Sequence, residues 1–127
     1  MKFKKVFVVD DDLVFHFIMK KLFSSCTDVN TRYFLNGLEA IDEIKKHEDN
    51  STPDLILLDI NMPVLDGWQF LEEFKAIKGS LDKDVIVYLV SSSNDISDIN
   101  RAKEYQDEVK KYVFKPVTQE EFQKIFT

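Results

Sequence analysis

Four polar clusters in this chain follow directly on apolar runs. Asp10, Asp11 and Asp12 come after the run 6–9, Asp59 and Asn61 after 55–58, Ser91, Ser92 and Ser93 after 85–90, and Lys115 after 109–114. Carboxylates that converge on one point repel one another and raise one another's pKa unless a cation sits among them. So sparse a set of oxygen donors suits Mg2+, a hard ion that keeps several waters and takes one or two carboxylates together with phosphate oxygens, better than a Ca2+ cage. Lys115 then has a purpose as a point charge on the far side of a bound anion, and Ser91 as a hydroxyl donor to it. Taken singly, the Asp10 to Asp12 run reads as helix capping and loop solvation, and the serines as loop polarity. Asp59 resists that explanation, because a carboxylate directly after four apolar residues loses hydration that something must replace.

For these groups to meet, the runs that precede them must lie side by side with their ends aligned. Runs 6–9, 55–58 and 85–90 are apolar on consecutive residues rather than alternate ones, the pattern of strands buried on both faces. Two weaker runs, 31–35 and 109–114, complete five strands, the last flanked by charge and so expected near an edge. Segments with helical spacing lie between: Val14, Ile18 and Leu22; Leu38, Ile41 and Ile44; Phe70, Leu71, Phe74 and Ile77; Phe122, Ile125 and Phe126. Asn36 with Glu39, Asp66 with Gln69 and Thr118 with Glu121 have the spacing of capping boxes, and 96–105 is a more polar helix with Asn94 or Asp95 as its cap. Strand and helix alternate five times, which predicts an α/β fold with a parallel sheet covered on both faces. In such a sheet the strand C-terminal ends share one rim, where ligands bind. Segments 48–53 and 79–84 read as surface loops, and the chain as one domain over 1–127 with no effector domain.

Composition narrows the function. With 127 residues, 44% hydrophobic and 31% charged, the chain has the balance of one globular domain. A formal charge of −6 argues against nucleic acid as a direct partner, since such binding draws on clustered Lys and Arg. Cys26 is the single cysteine, so no intrachain disulfide forms, and a cytoplasmic location is expected. The basic start resembles a signal peptide only until Asp10 interrupts it, and no segment approaches the ~20 apolar residues of a membrane span. His16 and His47 lack ligand spacing and are expected on helix surfaces. Trp68, after Asp66 and Gly67, is expected to pack a helix near the rim and to serve as an optical reporter.

The order and spacing of Val8-Val9-Asp10-Asp11, Leu57-Leu58-Asp59-Ile60-Asn61-Met62-Pro63, Asp66-Gly67, Val90-Ser91 and Lys115-Pro116 resemble the response-regulator receiver domains of two-component signalling systems, over essentially the whole chain. The resemblance implies a flavodoxin-like, doubly wound five-stranded sheet of order 2-1-3-4-5 with five helices on its two faces. It implies that Asp59 accepts a phosphoryl group from a phosphohistidine. Mg2+ would be held by Asp11 directly, by Asp10 mostly through water, by Asp59, and by the backbone carbonyl of Asn61. Lys115 would bind the phosphoryl oxygens. Ser91 and Tyr112 would form the switch that remodels the face of the fourth helix, fifth strand and fifth helix.

The implied partners are a sensor histidine kinase or a histidine phosphotransfer domain, and a downstream protein target, with the chain a monomer or a phosphorylation-dependent dimer. Asp12 stands where the family varies, as a helix cap or a gate to the metal. Lys111 stands where Gly is common. Three other classes compete. A Mg2+-dependent aspartyl-phosphate phosphatase of the haloacid-dehalogenase type would want an acid where Asn61 stands, because an amide is no general acid or base. A flavodoxin-like cofactor carrier would want a Gly, Ser or Thr-rich cradle where three aspartates stand. A phosphate-independent interaction module is disfavoured by the complete set Asp10, Asp11, Asp59, Ser91 and Lys115.

Overall fold

The computed structural model describes residues 3–48 and 51–126. Strands β1 (Lys5–Val9), β2 (Asn30–Phe34), β3 (Leu55–Leu58), β4 (Ile86–Ser91) and β5 (Val109–Phe114) form one parallel sheet in the order 2-1-3-4-5. Helices α1 (Leu13–Phe23), α2 (Gly37–Lys45), α3 (Gly67–Ile77), α4 (Ile96–Lys103) and α5 (Gln119–Phe126) connect and follow them. The doubly wound α/β architecture and the strand order are those expected, and β5 is an edge strand.

Consecutive apolar residues serve both faces because side chains alternate across a strand. Phe7 and Val9 of β1, with Ile56, Leu58, Val87 and Leu89, pack beneath α2, α3 and α4. Val6 and Val8, with Leu55, Leu57, Tyr88 and Val90, pack against α1 and α5 through Phe15, Met19, Phe23, Phe122 and Phe126. The Phe-rich composition thus goes chiefly into two aromatic-lined layers.

Helix starts follow the capping residues. Asp66 and Gln69 form a reciprocal capping box, and Asn36 accepts from Glu39 N at 2.9 Å, although the Glu39 carboxylate reaches Leu35 N instead of the cap. Thr118 Oγ1 accepts from Glu121 N, and Asp95 is the cap of α4, which ends at Lys103.

Helix phase and loop burial depart from the sequence pattern in several places. The buried stripe of α1 is Phe15, Met19 and Phe23, one residue on from Val14, Ile18 and Leu22; Val14 is 65% exposed. Leu38 is exposed as well. His16 is buried on α1, whereas His47 is exposed as expected but lies beyond the end of α2, with φ 54°, rather than on a helix surface. Within 48–53, Ser51, Thr52 and Pro53 are buried: the Ser51 hydroxyl donates to Glu48 O and accepts from Glu48 N, folding the segment onto the domain. Residues 49 and 50 of that loop lie outside the described ones.

In the β3–α3 connection, Val64 has φ 70° and is exposed. A β-branched residue is strained in the left-handed region, where Asn is tolerated. Val64→Asn is therefore expected to stabilise the fold by about 1 kcal/mol, read as a higher urea midpoint at unchanged slope.

Candidate functional site

Parallel strands of matched length bring the four polar clusters to one rim. Asp10 N donates to Phe34 O at 3.0 Å, Asp59 N to Val9 O at 2.9 Å and Lys115 N to Ser91 O at 2.9 Å, so the sheet's own hydrogen-bond ladder continues past the strands and fixes where the site residues begin. Asp10, Asp11 and Asp59 each present a carboxylate oxygen, all within 4.8 Å of one another. Asp10 and Asp59 are buried, and Asp11 is exposed at the mouth.

Lys115 Nζ lies 2.7 Å from Asp10 Oδ2 and 3.8 Å from Asp59 Oδ1. The first contact is a meeting of charges without hydrogen-bond alignment, since Asp10 Oδ2 has no aligned donor. The other Asp10 oxygen accepts from Asp12 N at 2.9 Å. The ammonium also lies 4.6 Å from the centre of the Phe15 ring, which backs it from α1. One lysine among three carboxylates leaves the cluster two charges short of neutral when all are ionised. Burial first, and the neighbouring Asp10 second, push the Asp59 carboxyl up to about 7, against the pull of Lys115. A buried, clustered, under-compensated set of oxygen donors is what a hard divalent cation relieves, so the residues fit Mg2+.

The remaining expected residues fall as follows. Asp12 caps α1, accepting from Val14 N at 2.9 Å, and stands outside the carboxylate cluster. Ser91 is buried at the rim and its Oγ accepts from Ser93 N at 3.0 Å. Asn61 is exposed, two residues beyond Asp59. Tyr112 is half-buried against the α2–α4 layer, with its hydroxyl donating to Ser93 O at 2.9 Å. Lys111 is held in β5 opposite Tyr88. Trp68 is buried, stacked on Tyr105 at 5.9 Å and covered by the Arg101 guanidinium, and so joins α3 to α4.

Two contributors have roles that the sequence did not assign, His16 and the Gly67 of the Asp66-Gly67 pair. His16 hydrogen-bonds the Asp10 backbone from beneath; burial lowers its pKa while Asp10 pulls it back up. Its signal was present in the α1 stripe, which puts residue 16 beside the buried residues 15 and 19 once the phase is right. Gly67 has no room for a side chain, because a Cβ there would stand 2.6 Å from Asp59 O and 2.8 Å from Ile60 Cα. Gly67→Ala therefore pushes on the backbone of the candidate acceptor itself and is expected to cost about 2 kcal/mol. Denaturant unfolding reads that loss, and weaker Mg2+ binding should accompany it.

A family model described as response regulator receiver domain matches residues 6–127. Among curated proteins, the chain is 29% identical over 101 residues to sporulation initiation phosphotransferase F of Bacillus subtilis, covering 80% of this chain and 74% of that one. Others are longer: the match to a protein-glutamate methylesterase/protein-glutamine glutaminase of Methanospirillum hungatei, 39% identical over 58% of this chain, spans only 20% of that protein. Among solved structures, a two-component response regulator from Cytophaga hutchinsonii superimposes with a TM-score of 0.81 at 29% identity, over 96% of this chain and 92% of that one. The phosphorylated cyanobacterial phytochrome response regulator RcpA gives 0.79 at 28% identity, over 96% and 88%.

Proposed function

Because the chain belongs to the response regulator receiver family, whose members are typically phosphoryl acceptors rather than enzymes, we propose that it is a Mg2+-dependent phosphorylation switch with Asp59 as the acceptor. We read residues 1–127 as one receiver domain. The observation that carries the reading is the convergence of Asp10, Asp11 and Asp59 within 4.8 Å, with Lys115 reaching in beside them.

In this reading Asp10, Asp11 and Asp59, with the Asn61 backbone carbonyl, hold Mg2+. The ion supplies charge neutralisation for phosphoryl oxygens that an acidic rim alone would repel. An Asp59 carboxylate oxygen bonds to phosphorus as the P–N bond to a donor phosphohistidine breaks, and the electron pair leaves with the imidazole nitrogen. Lys115 exchanges part of its pairing with Asp10 for the incoming oxygens, and the Ser91 hydroxyl donates to one of them. Such a transfer needs little covalent help beyond a placed nucleophile and stabilised charge. Tyr112 and Ser91 then carry the change to the α4, β5 and α5 face, where a downstream protein reads it.

The donor is a histidine kinase or a histidine phosphotransfer domain. It must bring its phosphohistidine to the strand ends, where α1 starts with Leu13, Val14 and Phe17 all about two-thirds exposed. Solvated apolar side chains grouped beside a polar site mark a protein contact, and we assign them to the donor. Phe17→Ala is expected to slow transfer from a protein donor about tenfold while leaving uptake from acetyl phosphate unchanged, and equal slowing of both would remove that assignment. No helix among the described residues is long and apolar enough to cross a membrane.

The test is intact mass after incubation with acetyl phosphate, in Mg2+ or in EDTA, for wild type and Asp59→Asn. A labile gain of one phosphoryl group that needs both Mg2+ and Asp59 is expected. An adduct that survives Asp59→Asn, or none in wild type with Mg2+, would sink the reading.

A further inference from the structure

Ser93, two residues past Ser91, gathers more hydrogen bonds than a loop serine needs. Its backbone N–H donates to Ser91 Oγ at 3.0 Å. Its carbonyl accepts from the Tyr112 hydroxyl at 2.9 Å. Its own hydroxyl donates to Asp98 Oδ2 at 2.8 Å and accepts from Asp95 N at 3.2 Å. Asp98 is the third residue of α4 after the cap Asp95. At that position an acidic side chain commonly folds back onto the N–H of its own cap. Here the Ser93 hydroxyl takes the cap's N–H and the Asp98 carboxylate takes the hydroxyl, so the start of α4 is buttoned to the loop through Ser93.

The consequence falls on Ser91. A hydroxyl has one proton to give and turns freely until something engages its lone pairs. With a lone pair held by Ser93 N–H, the oxygen is fixed and the proton is left to donate elsewhere. The strength of that hold depends on where Ser93 N sits, and Asp98, Asp95 and Tyr112 set its place from α4 and β5. Asp98 makes the charge-assisted contact, the strongest of the three in kind.

We propose that Ser93 and Asp98 are positioning residues for phosphoryl uptake at Asp59: Asp98 anchors Ser93, and Ser93 N–H orients the Ser91 hydroxyl. The proposal rests on the reading of Asp59 as acceptor and Ser91 as the hydroxyl that meets the phosphoryl group. Neither residue touches the reacting atoms.

The experiment follows acetyl phosphate uptake by intact mass in saturating Mg2+ for wild type, Asp98→Ala, Asp98→Asn, Ser93→Ala and Ser93→Thr. Mg2+ affinity and the melting midpoint are measured on each. Asp98→Ala and Ser93→Ala are expected to lower the maximal rate about three- to tenfold, the net value of one ordinary hydrogen bond, since both residues act through Ser91, with Mg2+ affinity unchanged. Asp98→Asn keeps an acceptor and Ser93→Thr keeps the hydroxyl, so both are expected within about twofold of wild type. Because Asp98→Ala and Asp98→Asn differ only in whether an acceptor remains, their ratio decides the matter even where both melt lower than wild type. Alanine variants at the wild-type rate, conservative variants as slow as alanine, or a parallel loss of Mg2+ affinity would each overturn the proposal. Failure of wild type itself to take up phosphate would instead overturn the function beneath it.

Discussion

In EDTA at pH 8, Asp59→Asn is expected to be more stable than wild type by about 2–4 kcal/mol, so that removing the proposed acceptor strengthens the fold. The cause lies in the carboxyl's surroundings: burial and Asp10 raise it from the ordinary 3.8 to about 7 despite Lys115. A rise of that size corresponds to about 4 kcal/mol at 1.36 kcal/mol per unit, and the lower bound allows for water and relaxation at the open rim. Below pH 3.8 folded and unfolded chains both hold the proton, and the group favours the fold fully. Between 3.8 and about 7 the unfolded chain ionises while the folded chain keeps its proton, so stability is lost as pH rises through the folded-state value. Asn has nothing to titrate. The gap between the two proteins should therefore open across that window and level off above it. Carboxylates held below their usual range by a partner, such as Glu43 against Arg32, are common to both and cancel in the difference. Saturating Mg2+ should then stabilise wild type more than the variant, because binding to the folded form alone adds RT ln(1 + [L]/Kd). Urea unfolding from pH 4 to 8, with and without metal, measures all of this, and equal stabilities at pH 8 in EDTA would show that the cluster is not strained.

That strain explains why the site was legible before the fold was known. Asp59 after Leu55 to Leu58, Asp10 after Val6 to Val9 and Lys115 after Phe114 are charges placed where burial penalises them, and such conflicts with local preference point to function. The sheet was legible because a strand with two buried faces has no alternation to misread. Helix faces were less so. In the first half of α1, Leu13, Val14, Phe15, Phe17 and Ile18 are all apolar, so only Lys20 and Lys21 at its end mark the polar face, and the choice between burying Val14 and burying Phe15 is weakly set. His16 went astray for the same reason, since a one-residue error in phase turns a helix by about 100°. The buried Ser51 and the Ser93 to Asp98 link could not be read at all. Both depend on where a hydroxyl meets a partner, and polar loop composition is the same whether the loop is solvated or folded back onto the domain.

Lys115→Met separates two properties that a damaged site would lose together. The ammonium is the one cation within reach of Asp10 and Asp59 among the described residues, at 2.7 and 3.8 Å. It competes with any metal for Asp10 Oδ2, which has no aligned hydrogen bond of its own. Replacing it with an uncharged side chain of similar length removes that competitor and leaves the three carboxylates more negative, so Mg2+ is expected to bind about tenfold tighter. Phosphoryl uptake is expected to move the other way. The transferring group spreads charge over its equatorial oxygens, and a fixed donor aimed at such charge is worth about 100- to 1000-fold in rate when removed. Met keeps the hydrophobic stem over Phe15, whose ring faces the ammonium at 4.6 Å, so the packing of α1 against β5 should survive and near-wild-type folding in Mg2+ accompany the slow rate. Metal titration through Trp68 fluorescence and uptake by intact mass give the two numbers on one preparation. Tighter metal with slower uptake is the signature of a lysine that serves the phosphoryl group. If both fell together, Lys115 would be a scaffold for the carboxylates and the anion would have to be met by another group.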